Sequence, residues 1–246
     1  MKRMKIALMA LMAVFMGTTF TSCLDSDNGP AAYPLSGLVD TGYLGSGVVI
    51  TASNGVNFTV TNPEAMEFSF TGSTDTFYPR IASIAYNQVE GEDYTEGKTS
   101  YKVYYAGYYD YFFGGYPMKW DGDAESLTPI NSLVYGGDAF GHILVAFTYY
   151  HKDLSFEDFS LFPYKWENNK LYLKLVHNKE VDTTSNKTSG MYLCFQSPPK
   201  ASLQDQFPDI VFSGEDQDTV EVMIEADGEK DTKLSLESSF KAKFSN

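Results

Sequence analysis

Three histidines, two cysteines and 32 acidic side chains are the groups in this 246-residue chain whose types could do chemistry. His142, His151 and His177 lie far apart, and no two have the i, i+2 or i+4 spacing that sets a pair of imidazoles on one metal ion. Cys23 and Cys194 are too few for a four-thiolate zinc site or a disulfide framework. No G-x-S-x-G elbow marks a nucleophilic serine. His177 with Asp182 is the nearest approach to a catalytic pair; the simpler expectation is a strand end whose Asn178 and Asp182 organise a turn through side-chain-to-backbone bonds. Asp121, Asp123 and Glu125 alternate like the opening of an oxygen-ligand calcium loop, but Ser126 and Ser132 stand where that loop needs Gly and Glu. The expectation is no metal, no cofactor and no catalytic residue. A glycan hydrolase would need two carboxylates brought together from different strands, a pattern that spacing alone does not carry.

Aromatic residues are the more unusual resource: 18 Tyr, 18 Phe and two Trp, with ten of the twenty residues from Tyr101 to Trp120 aromatic. Side chains alternate along a strand. Val103, Tyr105, Gly107, Tyr109, Tyr111 and Phe113 would then face one side, toward a core. Lys102, Tyr104, Ala106, Tyr108, Asp110 and Phe112 would face the other. Tyr104, Tyr108 and Phe112 are therefore the candidate binding residues, because a tyrosine ring packs while its hydroxyl stays wet, which suits a sugar or a protein. The net charge of −14 excludes nucleic acid, whose phosphates need clustered Lys and Arg.

These groups sit behind a targeting segment. Lys2, Arg3 and Lys5 precede an unbroken apolar run from Ile6 to Met16, too short for a membrane span and right for a secretory signal. The segment ends Phe20-Thr21-Ser22-Cys23, which resembles the lipobox of bacterial lipoproteins, with Phe20 where Leu is usual. The resemblance implies cleavage after Ser22 and lipidation of Cys23, with several acyl chains making a stable anchor. Asp25 and Asp27 resemble the acidic tether that sends some Gram-negative lipoproteins to the cell surface, so the expected location is the outer membrane, facing out. Cleavage would remove Lys2, Arg3 and Lys5 and take the charge from −14 to −17. Residues 1–22 are thus read as signal and 23–34 as a flexible lipidated tether. Cys194, between Leu193 and Phe195, is expected to be buried and inert. Asp182-Thr183-Thr184 and Asp218-Thr219-Val220 resemble an O-glycosylation sequon of some anaerobic Gram-negative bacteria, with Thr183 and Thr219 as acceptors.

The elements that must position all this are strands. Short runs rich in Val, Ile, Thr, Tyr and Phe alternate with Gly, Asn, Asp and Pro clusters. Val48–Thr51 and Val56–Thr61 around Asn54-Gly55 predict a hairpin with a type I′ turn. Further strands are expected over Arg80–Tyr86, Thr99–Phe113 with a bend at Gly107, Gly141–Tyr150, Leu171–His177, Met191–Gln196, Val220–Glu225 and near Phe240. Helix candidates are Leu154–Phe159 and Ala201–Gln206. Asp121–Ser126 divides the chain into residues 35–126, a small barrel, and 127–246, a β-sandwich.

The chain resembles the NigD-like lipoproteins, a family named for a product of a bacteriocin operon. The acidic lipobox, Leu127-Thr128-Pro129-Ile130, Gly141 to Phe147, Leu171 to Asn178 with Asp182, and Tyr192-Leu193-Cys194-Phe195 carry that resemblance. It implies an all-β protein, with an OB-like barrel followed by a sandwich, and no established activity. The expected function is non-enzymatic binding of an external protein or glycan, with a bacteriocin-related role implied by the family name. The alternative is a structural or assembly subunit of a surface complex.

Overall fold

A computed structural model describes residues 32–42, 47–69, 76–115, 118, 126–151, 158–181, 187–212 and 218–244. The protein is all-β, as expected. Two compact units divide it: one takes the described residues up to Met66 together with Ala82–Asp110, the other Glu67–Ile81 and the described residues from Tyr111 onward.

Strands β1 (Tyr33–Asp40), β2 (Val48–Ala52) and β3 (Asn57–Val60) form an antiparallel meander. Two short strands, β4 (Phe68–Ser69) and β5 (Thr76–Phe77), pair with each other and belong to the second unit. Strands β6 (Ile81–Gln88) and β7 (Ser100–Gly114) complete the first unit's sheet in the order β3-β2-β1-β6-β7. β3 also runs parallel to β7, with Phe58 opposite Tyr101 and Val60 opposite Val103. That last pairing closes a five-stranded barrel and leaves no free edge among these strands. Counting only barrel strands, the circuit is one-two-three-five-four-one, and the expected OB-like barrel is present. Alternate residues fill its interior: Leu35 and Val39, Val48 and Ile50, Phe58 and Val60, Ala82, Ile84 and Tyr86, Tyr101 and Val103 are all buried.

The β2–β3 turn is not the type I′ turn expected. Gly55 alone has positive φ (79°), its N–H donates to the Ala52 carbonyl, and the Ala52 N–H donates to the Val56 carbonyl. This is a type I turn closed by a left-handed glycine, the usual three-residue hairpin loop. Asn54 keeps negative φ and accepts the Val56 N–H on its Oδ1 instead. β1 begins at Tyr33, two residues inside the stretch expected to be tether.

In the second unit, β8 (Ile130–Ala139) and β9 (His142–His151) form a hairpin. β10 (Phe159–Glu167), β11 (Lys170–His177) and β12 (Lys187–Gln196) follow, then a short helix α1 (Lys200–Gln206) and β13 (Thr219–Asp227). β14 (Lys233–Ser235) and β15 (Phe240–Lys243) both pair with β13. One sheet runs from the end of β7 through β12 and β9 to β8; the other runs β10-β11-β13-β14. The core packs between them. Ile143, Val145, Phe147 and Tyr149 of β9 and Met191, Leu193 and Phe195 of β12 share one cluster with Leu171, Leu173 and Leu175 of β11 and Val220, Val222, Ile224 and Ala226 of β13. The strict spacing of two is that of a sandwich with inner and outer faces. Helix candidate Ala201–Gln206 is α1. Residues 154–157 of the other candidate lie outside the described residues, and Phe159 opens β10 instead.

Candidate functional site

Placement of the aromatic strand decides where a binding surface lies. Up to Ala106, β7 has the expected phase: Tyr101 and Val103 are buried, Lys102 and Tyr104 exposed. Beyond Gly107 the phase fails. Tyr108 is half-buried, its hydroxyl donating to the Met66 carbonyl at 2.7 Å and its ring 5.0 Å from Tyr105. Tyr109, assigned to the core face, is 51% exposed, and Phe112, assigned to the outer face, is 2% exposed. The reason is a change of partners. In the second unit the end of β7 lies against β12, with Phe113 opposite Leu193. Phe112 packs there on Tyr135 and Tyr192, and Phe113 on Phe68, so both faces are covered. Tyr104, Tyr108 and Phe112 therefore do not form one outer face, and of the three only Tyr104 is exposed.

A different aromatic group forms at one end of the barrel. Tyr33 begins β1, Tyr86 lies near the end of β6, Phe58 near the start of β3 and Tyr101 near the start of β7, so strand order alone brings them together. Ring centroids are 5.7 Å apart for Tyr33–Tyr86, 5.8 Å for Phe58–Tyr86 and 5.7 Å for Phe58–Tyr101. Tyr94, from the β6–β7 loop, lies 4.7 Å from the Tyr101 ring and shares a short hydroxyl–hydroxyl hydrogen bond with Tyr86. Tyr86, Phe58 and Tyr101 are buried, whereas Tyr33 is 43% and Tyr94 58% exposed. The outer two rings thus stand on a floor of three inner ones.

The loop under Tyr94 is tied down. The Tyr101 hydroxyl donates to the Thr95 carbonyl at 3.1 Å and accepts the Thr95 N–H at 3.3 Å. The Lys98 N–H donates to the same carbonyl at 3.1 Å. Lys98 Nζ sits 4.7 Å from the Tyr101 ring centroid and pairs with Glu92 at 2.5 Å. Burial pushes the Tyr86 hydroxyl up, and its bond to Tyr94 adds to the effect, so the Tyr86 hydroxyl stays protonated. The mouth can stack a flat apolar face and offer hydroxyls beside it. Sequence reading missed it because its five rings come from four strands and a loop. The one local signal was Tyr94 within a polar, glycine-punctuated loop.

The histidines serve packing. His142 and His151 stand at the two ends of β9, as expected. His142 Nδ1–H donates to the Phe140 carbonyl at 2.9 Å, and burial holds its pKa down. His151 Nε2 shares a hydrogen bond with Ser189 Oγ at 2.6 Å. His177 is buried, stacked 4.7 Å from Phe159 and edge-on to Tyr149. Burial holds it down to about 4, although Asp158 pulls the other way. His151 and His177 thus meet around Tyr149 from opposite sheets. Asn178 donates from Nδ2 to Ser160 Oγ at 2.8 Å, tying β11 to β10 rather than organising a local turn. Among the described residues no three His, Cys, Asp or Glu side chains gather as metal ligands. Cys194 is buried, with Sγ 3.4 Å from the Phe113 carbonyl, and burial pushes its thiol up to about 12. Thr219 is exposed at the start of β13. Cys23, Asp121, Asp123, Glu125, Asp182 and Thr183 lie outside the described residues.

No family model matches the sequence, and no curated protein matches it. Solved structures similar to it exist at low identity. A candidate lipoprotein from Bacteroides fragilis is 14% identical and superposes with a TM-score of 0.46 over 88% of this chain and 99% of its own. A protein of unknown function from Bacteroides vulgatus is 11% identical, with a TM-score of 0.46 over 88% of this chain and 91% of its own. A NigD-like immunity protein from Bacteroides caccae is 10% identical, with a TM-score of 0.42 over 88% of this chain and 98% of its own.

Proposed function

We propose that this chain is a lipid-anchored envelope protein whose barrel binds an external partner, a glycan or a protein, at its aromatic mouth, without catalysis. The carrying observation is the pair of half-exposed rings, Tyr33 and Tyr94, held on the buried Tyr86 and Tyr101. Rings fixed before contact lose little entropy on binding, and tyrosine is enriched among interface hot spots. The β6–β7 loop joins the fourth and fifth barrel strands, and OB folds use that loop for oligonucleotides or oligosaccharides. The charge of −14 disfavours the former. The lipobox pattern at Cys23 and the NigD-like resemblance support the anchored location and leave a bacteriocin-related role within this reading.

The test is capture of partners by the surface-anchored chain, with a glycan panel run beside it. Tyr33→Ala should leave the melting temperature nearly unchanged, Tyr94→Ala should cost no more than the ~1–3 kcal/mol of the bond it makes to Tyr86, and each should weaken capture by ~2 kcal/mol or more, the scale of a hot spot. Undiminished capture by the double variant would overturn the assignment of the site.

A further inference from the structure

The second unit holds a cavity of about 440 Å³ that neither the aromatic mouth nor the fold accounts for. Ser126, Pro129, Lys174, Asp227, Gly228, Lys230, Thr232 and Lys233 line it. Its size falls in the ~300–1,000 Å³ range of small-molecule sites, but its lining is polar where most such sites are apolar. Among the described lining side chains three are lysines and one is an acid, and with Glu225 paired to Lys233 one positive charge is left over, in a chain that carries −14 overall.

The charges are arranged unequally. Asp227 is already engaged: its Oδ2 takes Lys174 Nζ at 3.0 Å and the Ser126 N–H at 3.2 Å. Lys233 pairs with Glu225 at 2.5 Å and donates to the Tyr164 hydroxyl at 3.0 Å. Lys230 makes no ion pair among the described residues. It stands instead at φ 55°, ψ 41°, a left-handed conformation that costs a non-glycine residue of order 1–3 kcal/mol. Neighbouring bonds hold it there: the Gly228 N–H reaches the Thr232 carbonyl at 2.7 Å, and the Thr232 N–H and Oγ1 reach the Glu229 carbonyl at 3.1 and 2.7 Å. The β13–β14 loop is thus folded tightly, with a lysine at the position where glycine would be unstrained.

We propose that this cavity binds a small hydroxyl-bearing anion, a sugar carrying a carboxylate or a phosphate, with Lys230 as the principal countercharge. Lys174 and Lys233 add donors and Ser126 offers a hydroxyl, while Asp227 and Thr232 Oγ1, whose own proton goes to the Glu229 carbonyl, can accept from sugar hydroxyls. The volume exceeds what a bare inorganic anion fills.

The experiment titrates the full chain, by calorimetry at low salt, with glucuronic acid, glucose 6-phosphate, inorganic phosphate and glucose. Binding of either acidic sugar, at least roughly tenfold tighter than glucose and weakened by salt, is expected. The stronger of the two acids identifies the charged group. Lys230→Gly is the decisive variant, since glycine relieves the backbone while removing the cation. It should melt no lower than the native chain and bind the acidic sugar at least about tenfold more weakly. Three results would overturn the proposal: no binding of either acid, phosphate or glucose binding as tightly as the acidic sugars, or Lys230→Gly binding undiminished.

Discussion

Phe112 shows how far a single residue's environment can depart from its place in an alternation. Phe112 is enclosed by Tyr135 and Tyr192, whereas Tyr104 is 53% exposed. Phe112→Ala should cost about 3–5 kcal/mol of stability, as a core truncation does. Tyr104→Ala and Tyr109→Ala should each stay within ~0.5 kcal/mol. Urea melts of the three variants test this, and equal losses would mean that the far end of β7 is not enclosed as described. Two groups, the buried His177 and the half-buried Asp138, also shape the acid response. His177 is held down to about 4 from its ordinary 6.5, so between those values the unfolded chain takes up a proton that the folded one refuses. Stability through His177 therefore falls on acidification, by ~3 kcal/mol in full. Asp138 is pushed up to about 6 from 3.8, chiefly by burial, so between about 6 and 3.8 the folded chain holds a proton that the unfolded one lacks. Its contribution rises on acidification and opposes that of His177 over their shared range. Asp138→Asn should lose stability between about pH 6.5 and pH 4.5, and His177→Asn should not, with the native chain between them. Denaturant melts at a series of pH values measure all three.

Among the elements, β1 and β2 approach too closely at Gly37 to admit a side chain. A Cβ on Gly37 would fall 2.4 Å from the Thr51 carbonyl oxygen, a backbone atom that cannot swing aside. Gly37→Ala should therefore destabilise by at least the ~1–3 kcal/mol of an overpacked site. Gly107 meets nothing within 4 Å and does not have positive φ, so Gly107→Ala should change stability by less than about 1 kcal/mol. Thermal melts of the two variants compare them directly; a damaging Gly107→Ala would show that β7 needs glycine at its change of phase. Most strands were legible because a run with alternating burial is a local pattern. β9, β11, β12 and β13 fall where Gly141–Tyr150, Leu171–His177, Met191–Gln196 and Val220–Glu225 predict them. β8 was not legible. It carries Gly136, Gly137 and Asp138, and its pairing with β9 slips twice, between Ile130 and Ser132 and between Leu133 and Tyr135. Each slip inserts a residue and breaks the alternation. β10 contains Pro163, which reads against a strand but is tolerated on the edge that β10 occupies, beside its own irregularity at Pro163–Lys165.

At the scale of the whole molecule, the proposed anchor is a single residue. Cys23→Ser should move the protein from the membrane to the soluble fraction, because the acyl chains and not the acidic surface would hold it there. Fractionation with a high-salt wash tests this, and a serine variant that stays on the membrane would sink the lipobox reading. The binding proposals divide along the two compact units. The barrel offers hydroxyl-tipped rings, and the sandwich offers a lysine-lined cavity. Partner capture should follow Tyr33 and Tyr94, and acidic-sugar binding Lys230, so each fails without the other.

Composition and local period determined the class of this protein. Frequent β-formers, turn residues and spacing of two are properties of neighbouring residues, and they were enough for an all-β chain with a barrel before a sandwich. The patterns that resemble a secretory leader and a lipobox, and the charge of −14, are likewise local or summed quantities. What only the tertiary structure decided is which rings meet. Tyr33, Phe58, Tyr86, Tyr94 and Tyr101 span almost seventy positions, and barrel closure through the parallel β3–β7 pair is what gathers them. The lysine cavity has the same origin, with Lys174 from one strand and Lys230 and Lys233 from a hairpin more than fifty residues later. Contacts of that range depend on the order in which strands pair, and a one-residue change of phase, as after Gly107, reverses which side chains are covered.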